Sequence, residues 1–143
     1  MNITLPDGSV KTFDAPVTVL EIAKSISEGL ARNACCGLVN GEVKDLRYEV
    51  ADDAKVSICT FDDPDGKRAF RHTASHIMAQ AIKHLFPETK LAIGPSIEDG
   101  FYYDFDRETP FTEDDLRKIE EEMKKIVKED LPLERFTLPR AEA

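Results

Sequence analysis

The chain has 143 residues, a mass of 16.1 kDa and 41% hydrophobic residues. That is enough for one ordinary domain or two very small ones, and too little for a large multi-step catalyst. Its 28 acidic residues outnumber 19 basic ones for a formal net charge of -9, so the overall field repels a phosphate backbone and argues against non-specific coating of nucleic acid. The three cysteines, two of them adjacent as Cys35 and Cys36, supply no disulfide framework, and a reducing cytoplasm is the expected compartment. Met1-Asn2-Ile3-Thr4 opens without a basic segment, and no stretch approaches the roughly 18 apolar residues a membrane span needs, so neither export nor a membrane is expected.

Residues 1–66 hold 6 basic and 12 acidic side chains, and residues 67–143 hold 13 and 16. Near this shift lies Phe61-Asp62-Asp63-Pro64-Asp65-Gly66-Lys67, polar and rich in turn formers, which places an expected domain boundary at residue 64, giving segments 1–64 and 65–143. In the first segment Ile3 and Leu5 alternate with polar residues, Pro6-Asp7-Gly8-Ser9 turns, and Val10-Lys11-Thr12-Phe13 returns as a second strand. Thr18 caps an expected helix whose apolar positions Val19, Ile22, Ala23, Ile26 and Leu30 keep helical spacing, with Gly29 near its stop. Asn40-Gly41 makes a tight turn between short strands, and Lys55 to Cys59 alternates as a last strand. Hairpin, helix and further strands predict a ubiquitin-like β-grasp.

In the second segment a helix is expected from Lys67 to Phe86, because Ala74, Ile77, Met78, Ala81, Ile82 and Leu85 form an apolar stripe that Pro87 ends. Lys90 to Ile93 and Phe101 to Phe105 read as strands, joined by a glycine-bounded turn from Gly94-Pro95 to Gly100. Thr112 and Asp115 form a capping-box pair opening a helix with Leu116, Ile119, Met123 and Ile126 inward. Leu133 to Leu138 suggests another strand, and Pro139 onward resembles a helix start left unfinished, so the second domain is expected to be cut off.

The chemistry-bearing pattern is His72-Thr73-Ala74-Ser75-His76. Residues four apart lie on one helix face, so both imidazoles reach the same water, ester or metal ion; the same pair also fits a solvated helix face. A metal site lacks completing ligands: His84 is two turns on, the cysteines are in the other segment, and no His-Glu-x-x-His is present. Gly94-Pro95 and Gly100-Phe101-Tyr102-Tyr103-Asp104 set phenols beside turns, where they orient a substrate hydroxyl or build an aromatic core. Lys67, Arg68 and Arg71 precede the histidines and either meet a phosphate or start a solvated helix. Cys35 and Cys36 are expected to pack as small apolar side chains.

These residues resemble a known family. Ile3-Thr4-Leu5-Pro6-Asp7-Gly8-Ser9 and Val39-Asn40-Gly41 are similar to the opening TGS domain of bacterial threonyl-tRNA synthetases. Arg71 to His76, Ala92-Ile93-Gly94-Pro95 and Gly100-Phe101-Tyr102-Tyr103-Asp104 are similar to the first part of their editing domain. The resemblance implies an α+β chain: a β-grasp followed by a truncated α/β editing domain with a His-x-x-x-His helix. It implies, for the full-length protein, a cytoplasmic homodimeric class II ligase that joins threonine to its tRNA with ATP and Mg, and a catalytic core holding Zn. In that family the second domain hydrolyses serine wrongly attached to the threonine tRNA, a selectivity problem arising from one methyl group.

By this resemblance His72 and His76 position water and the 3'-terminal ribose, and Tyr103, Gly94 and Pro95 line the substrate pocket. The family's Cys-x-x-x-His motif is absent, so this stretch alone is expected to be inactive, without a cofactor or bound metal of its own. The competing expectations are a stand-alone TGS-containing module that binds RNA or protein without catalysis and, weakest, a small metal protein using His72 and His76.

Overall fold

The computed structural model describes residues 1–132, 134 and 136–141. Strands β1 (Asn2–Thr4) and β2 (Val10–Thr12) form the expected hairpin, Asn2 opposite Thr12. Asp7 closes its turn by accepting from the backbone N–H of Ser9 at 2.9 Å, as short acidic side chains do in turns. Strand β3 (Val17–Thr18) leads into α1 (Val19–Ile26), followed by α2 (Glu28–Asn33), β4 (Ala34–Val39) and β5 (Glu42–Lys44). Asn40 and Gly41 take φ of 51° and 86° between β4 and β5, the left-handed pair a two-residue hairpin demands. Then come β6 (Glu49–Val50) and β7 (Ala54–Thr60).

The main sheet runs β2-β1-β7-β4-β5, with β1 parallel to β7 and the other neighbours antiparallel. This is the β-grasp, its helices laid across one sheet face. Ile3, Val19, Ile22, Val39 and Val56 form the core between them. Gly37 is required there, since a Cβ would lie 2.5 Å from Val19 Cγ1.

The single helix expected over Thr18 to Leu30 is two. Ser27 adopts extended backbone (φ -165°, ψ 150°) between α1 and α2, and its hydroxyl accepts from the Leu30 N–H at 3.0 Å. The side chain thus supplies an N-cap that competes with continued helix, and Gly29 sits inside α2 instead of ending α1. The short pair β3–β6 is an addition to the expected strands, with Val17 opposite Val50.

Helix α3 spans Pro64–Leu85 and follows β7 after three residues. The Cα framework divides into one unit of Met1–Ser75 with Gly94–Tyr102 and another of His76–Ile93 with Tyr103–Ala143, and α3 contributes to both. In the first unit the opening turn of α3 packs on the end of β7: a Cβ on Gly66 would lie 1.9 Å from the Thr60 carbonyl oxygen. In the second unit, Ala81 and Ile82 of α3 pack with Ile119 and Ile126 of α4 (Glu113–Glu129). The capping box is present, Asp115 N–H donating to Thr112 Oγ1 at 3.2 Å and Thr112 N–H to Asp115 Oδ2 at 3.0 Å. Leu116, expected inward, is exposed.

The expected strand Lys90 to Ile93 is shortened to β8 (Lys90–Leu91) and Phe101 to Phe105 is represented by β10 (Gly100–Phe101) and β11 (Phe105–Asp106), while β9 (Ser96–Ile97) forms inside the stretch expected to be a turn. β8 pairs with β11 and β9 with β10, both antiparallel. Ala92 N–H donates to the Asp104 carbonyl at 3.0 Å, and Asp104 N–H to the Ile93 carbonyl at 2.9 Å, extending the first ladder. The suggested strand at Leu133 to Leu138 and the helix start at Pro139 to Ala143 fall partly outside the described residues; Glu134 and Phe136 to Leu138 are not in a strand.

Candidate functional site

Helix α3 starts at a turn fixed by Asp63, whose carboxylate accepts from the Thr60 N–H at 2.8 Å. Its buried Ala79, Ala81 and Ile82 anchor the C-terminal half. On the middle turns of the same helix His72 and His76 are both exposed, one helical turn apart. Ser75, immediately before His76, is fully buried. Its Oγ lies 2.7 Å from the His72 carbonyl oxygen and 3.2 Å from that of Gly94, with one proton to donate.

Ser75 therefore ties the Gly94-Pro95 loop to the turn of α3 that carries His72. Arg71, one turn earlier, makes a second tie, its Nη1 donating to the Ile97 carbonyl at 3.2 Å and also to that of Glu98. A charge-assisted donor and a buried hydroxyl thus hold residues 94–98 along the helix, and both half-buried Gly94 and Pro95 sit at the anchored end. Sequence reading did not single out Ser75. The available signal was a hydroxyl interrupting an apolar stripe, where a small polar residue needs a buried partner.

The basic side chains at the start of α3 are engaged within the chain itself. The Arg71 guanidinium is engaged by backbone carbonyls, Lys67 Nζ lies 5.5 Å over the Phe61 ring, and Arg68 Nη1 is 3.8 Å from Asp65. Beside them opens a cavity of about 540 Å³ whose lining includes Lys67, Arg68 and Arg71 but also Asp62 and Glu98. Mixed signs at its wall weaken any attraction for an anion.

In the second unit Tyr103 is half-buried and stacks on Phe105, centroids 4.8 Å apart and planes at 15°. Tyr102 and Asp104 are exposed while Phe101, Tyr103 and Phe105 are half-buried, so burial alternates along this stretch. Arg107, another residue sequence reading passed over, places its guanidinium 4.2 Å from the Phe86 centroid and 4.7 Å from that of Phe111, with Nη1 3.8 Å from Asp115 Oδ2. This cation between two rings belongs to the core and leaves the site residues alone. Among the described residues no three His, Cys, Asp or Glu side chains converge to hold a metal ion, and no helix is long and apolar enough to cross a membrane.

The β-grasp carries the class: residues 1–60 match the TGS domain family. Over all 143 residues the chain is 64% identical to a threonine-tRNA ligase of Clostridium botulinum (strain Eklund 17B / Type B), 62% to that of Acetivibrio thermocellus and 56% to that of Clostridioides difficile. Each alignment covers 100% of this chain and 22% of the relative. The chain thus spans about a fifth of the length of the curated relatives it matches, and it corresponds to the N-terminal region of threonine-tRNA ligases.

Proposed function

We propose that this chain is the N-terminal region of a cytoplasmic, homodimeric threonine-tRNA ligase, and that its His72–His76 helix belongs to the site that removes serine wrongly joined to the threonine tRNA. Identity of 56% to 64% along the whole chain to ligases of that name supports the first part. The second rests on one observation: α3 presents two exposed imidazoles a turn apart while the buried Ser75 hydroxyl anchors the Gly94-Pro95 loop to the same helix.

Hydrolysis of an aminoacyl ester requires a water held in line with the ester carbon, an acceptor for its proton and donors for the oxyanion. An imidazole one turn from another serves the first two needs, one ring nitrogen accepting from water while its neighbour holds a ribose hydroxyl. His72 and His76 take these positions in the proposal. Tyr103 enters as a pocket-lining phenol and Gly94-Pro95 as the loop that brings backbone close to the substrate. ATP, Mg and Zn belong to the activation of threonine by the rest of such a ligase. Among the described residues Zn finds no donor set.

The test is hydrolysis of preformed seryl-tRNA, threonine-specific, by the full-length ligase carrying these residues. His72→Ala is expected to slow it by about 10² or more, the range for loss of a positioned proton-transfer group. Equal rates for wild type and variant remove the assigned role.

A further inference from the structure

The three cysteines take no part in that chemistry, yet two of them are built as a pair. Cys36 of β4 stands directly opposite Cys59 of β7 in the antiparallel ladder. Opposed residues in such a ladder have Cα atoms about 4.5 or 5.5 Å apart, and either value lies inside the roughly 4.4–6.8 Å a disulfide spans. The side chains also point the same way. Gly37, Val39, Val56 and Ile58 alternate toward the α1 side of the sheet, so Cys36 and Cys59, opposite each other in register, project together from the other face. Both are buried, at 2% and 3% exposure. The first turn of α3 lies over this end of β7, as the contact between Gly66 and Thr60 requires.

We propose that Cys36 and Cys59 are a dithiol modification site, oxidised to an intrachain disulfide by a small-molecule disulfide of the glutathione class. One protein thiol loses its proton to solvent and attacks the oxidant's sulfur, forming a mixed disulfide and expelling a thiolate that takes up a proton. The second protein thiol, deprotonated in turn, attacks the protein sulfur of that mixed disulfide and expels the other glutathione thiolate. Two protein thiols become one disulfide, and one oxidant molecule becomes two thiols. Burial holds the Cys36 thiol up, to about 12, and raises Cys59 as well, so the pair reacts slowly at neutral pH and faster as alkali supplies thiolate. Cys35 is half-buried, lies at the irregularity between Ala34 and Cys36 and has no register partner, which makes it the internal control.

The folded 143-residue chain is incubated with excess glutathione disulfide, quenched with N-ethylmaleimide, digested and mapped by mass spectrometry, with circular dichroism confirming the fold of each variant. A Cys36–Cys59 link is expected in wild type and in Cys35→Ser, no internal link at Cys36 in Cys59→Ser, and a rate of linkage that rises from pH 7 to 9. The proposal is overturned if Cys36 and Cys59 both emerge alkylated at equilibrium, if the link joins Cys35 instead, or if the rate is flat across that pH range.

Discussion

Gly66→Ala isolates the contact that seats α3 on the β-grasp. A helix normally gains from this exchange, because alanine is favoured over glycine by up to about 1 kcal/mol per residue. At Gly66 the added methyl would stand 1.9 Å from the Thr60 carbonyl oxygen and 2.6 Å from its carbonyl carbon. Both are backbone atoms, so no rotamer change relieves the overlap and the first turn of α3 must lift from β7. Overpacking costs about 1–3 kcal/mol or more, and an overlap this deep against rigid backbone belongs at the upper end, so set against the propensity gain it leaves a net loss of about 2 kcal/mol. Gly29→Ala is the matched control, since its Cβ would meet nothing nearer than Ser27 Oγ at 4.0 Å. Urea unfolding followed by circular dichroism should give a lower midpoint for Gly66→Ala and an unchanged or higher one for Gly29→Ala, with slopes unaltered. A Gly66→Ala variant as stable as its control would refute the packing of α3 on the strand end.

Ser27→Ala should cost about 1 kcal/mol through loss of the α2 cap, read from the same unfolding curves; no change would mean that α1 and α2 do not depend on that hydroxyl. Ile82→Ala, at a position 2% exposed in the second unit's core, should cost about 2–5 kcal/mol, and a loss below that range would show the α3–α4 packing to be loose. The capping carboxylates Glu21 and Asp115 are held below the usual carboxylate range, first by the backbone N–H of Thr18 and of Thr112 respectively. A depressed folded value means that their stabilisation is fully present above the unfolded values near 4 and is lost as pH falls through the lower folded ones. Stability measured from pH 6 to pH 2 should therefore fall less steeply in Asp115→Asn than in wild type, and parallel curves would contradict the cap.

Much of the fold is legible because periodicity and turn chemistry agree. Asn40-Gly41 fixes the β4–β5 hairpin, Thr112 with Asp115 opens α4, and Pro87 follows the end of α3. The α1–α2 break is hidden because Val19 through Leu30 keep helical spacing on both sides of Ser27, and a single hydroxyl decides for two caps over one continuous helix. The β3–β6 pair is two residues long and too short for any alternation to register. The exposed Leu116 fits the helix stripe equally well on paper, since spacing identifies a face but not the neighbour that covers it. At the site, His72 and His76 are visible from their spacing alone. Ser75 and Arg71 act through carbonyls of residues 94, 97 and 98; a hydroxyl in an apolar stripe signals that a partner is needed, but which distant backbone acceptor supplies it leaves no mark on a residue pattern.

The most direct test of the central claim is the product distribution of the full-length ligase given ATP, serine, threonine and its tRNA. With His72 and His76 both changed to alanine, the ratio of seryl-tRNA to threonyl-tRNA should rise well above the wild-type ratio as uncorrected product accumulates. An unchanged ratio, with threonyl-tRNA formed by both proteins, would contradict the assignment of α3 to the removal of serine.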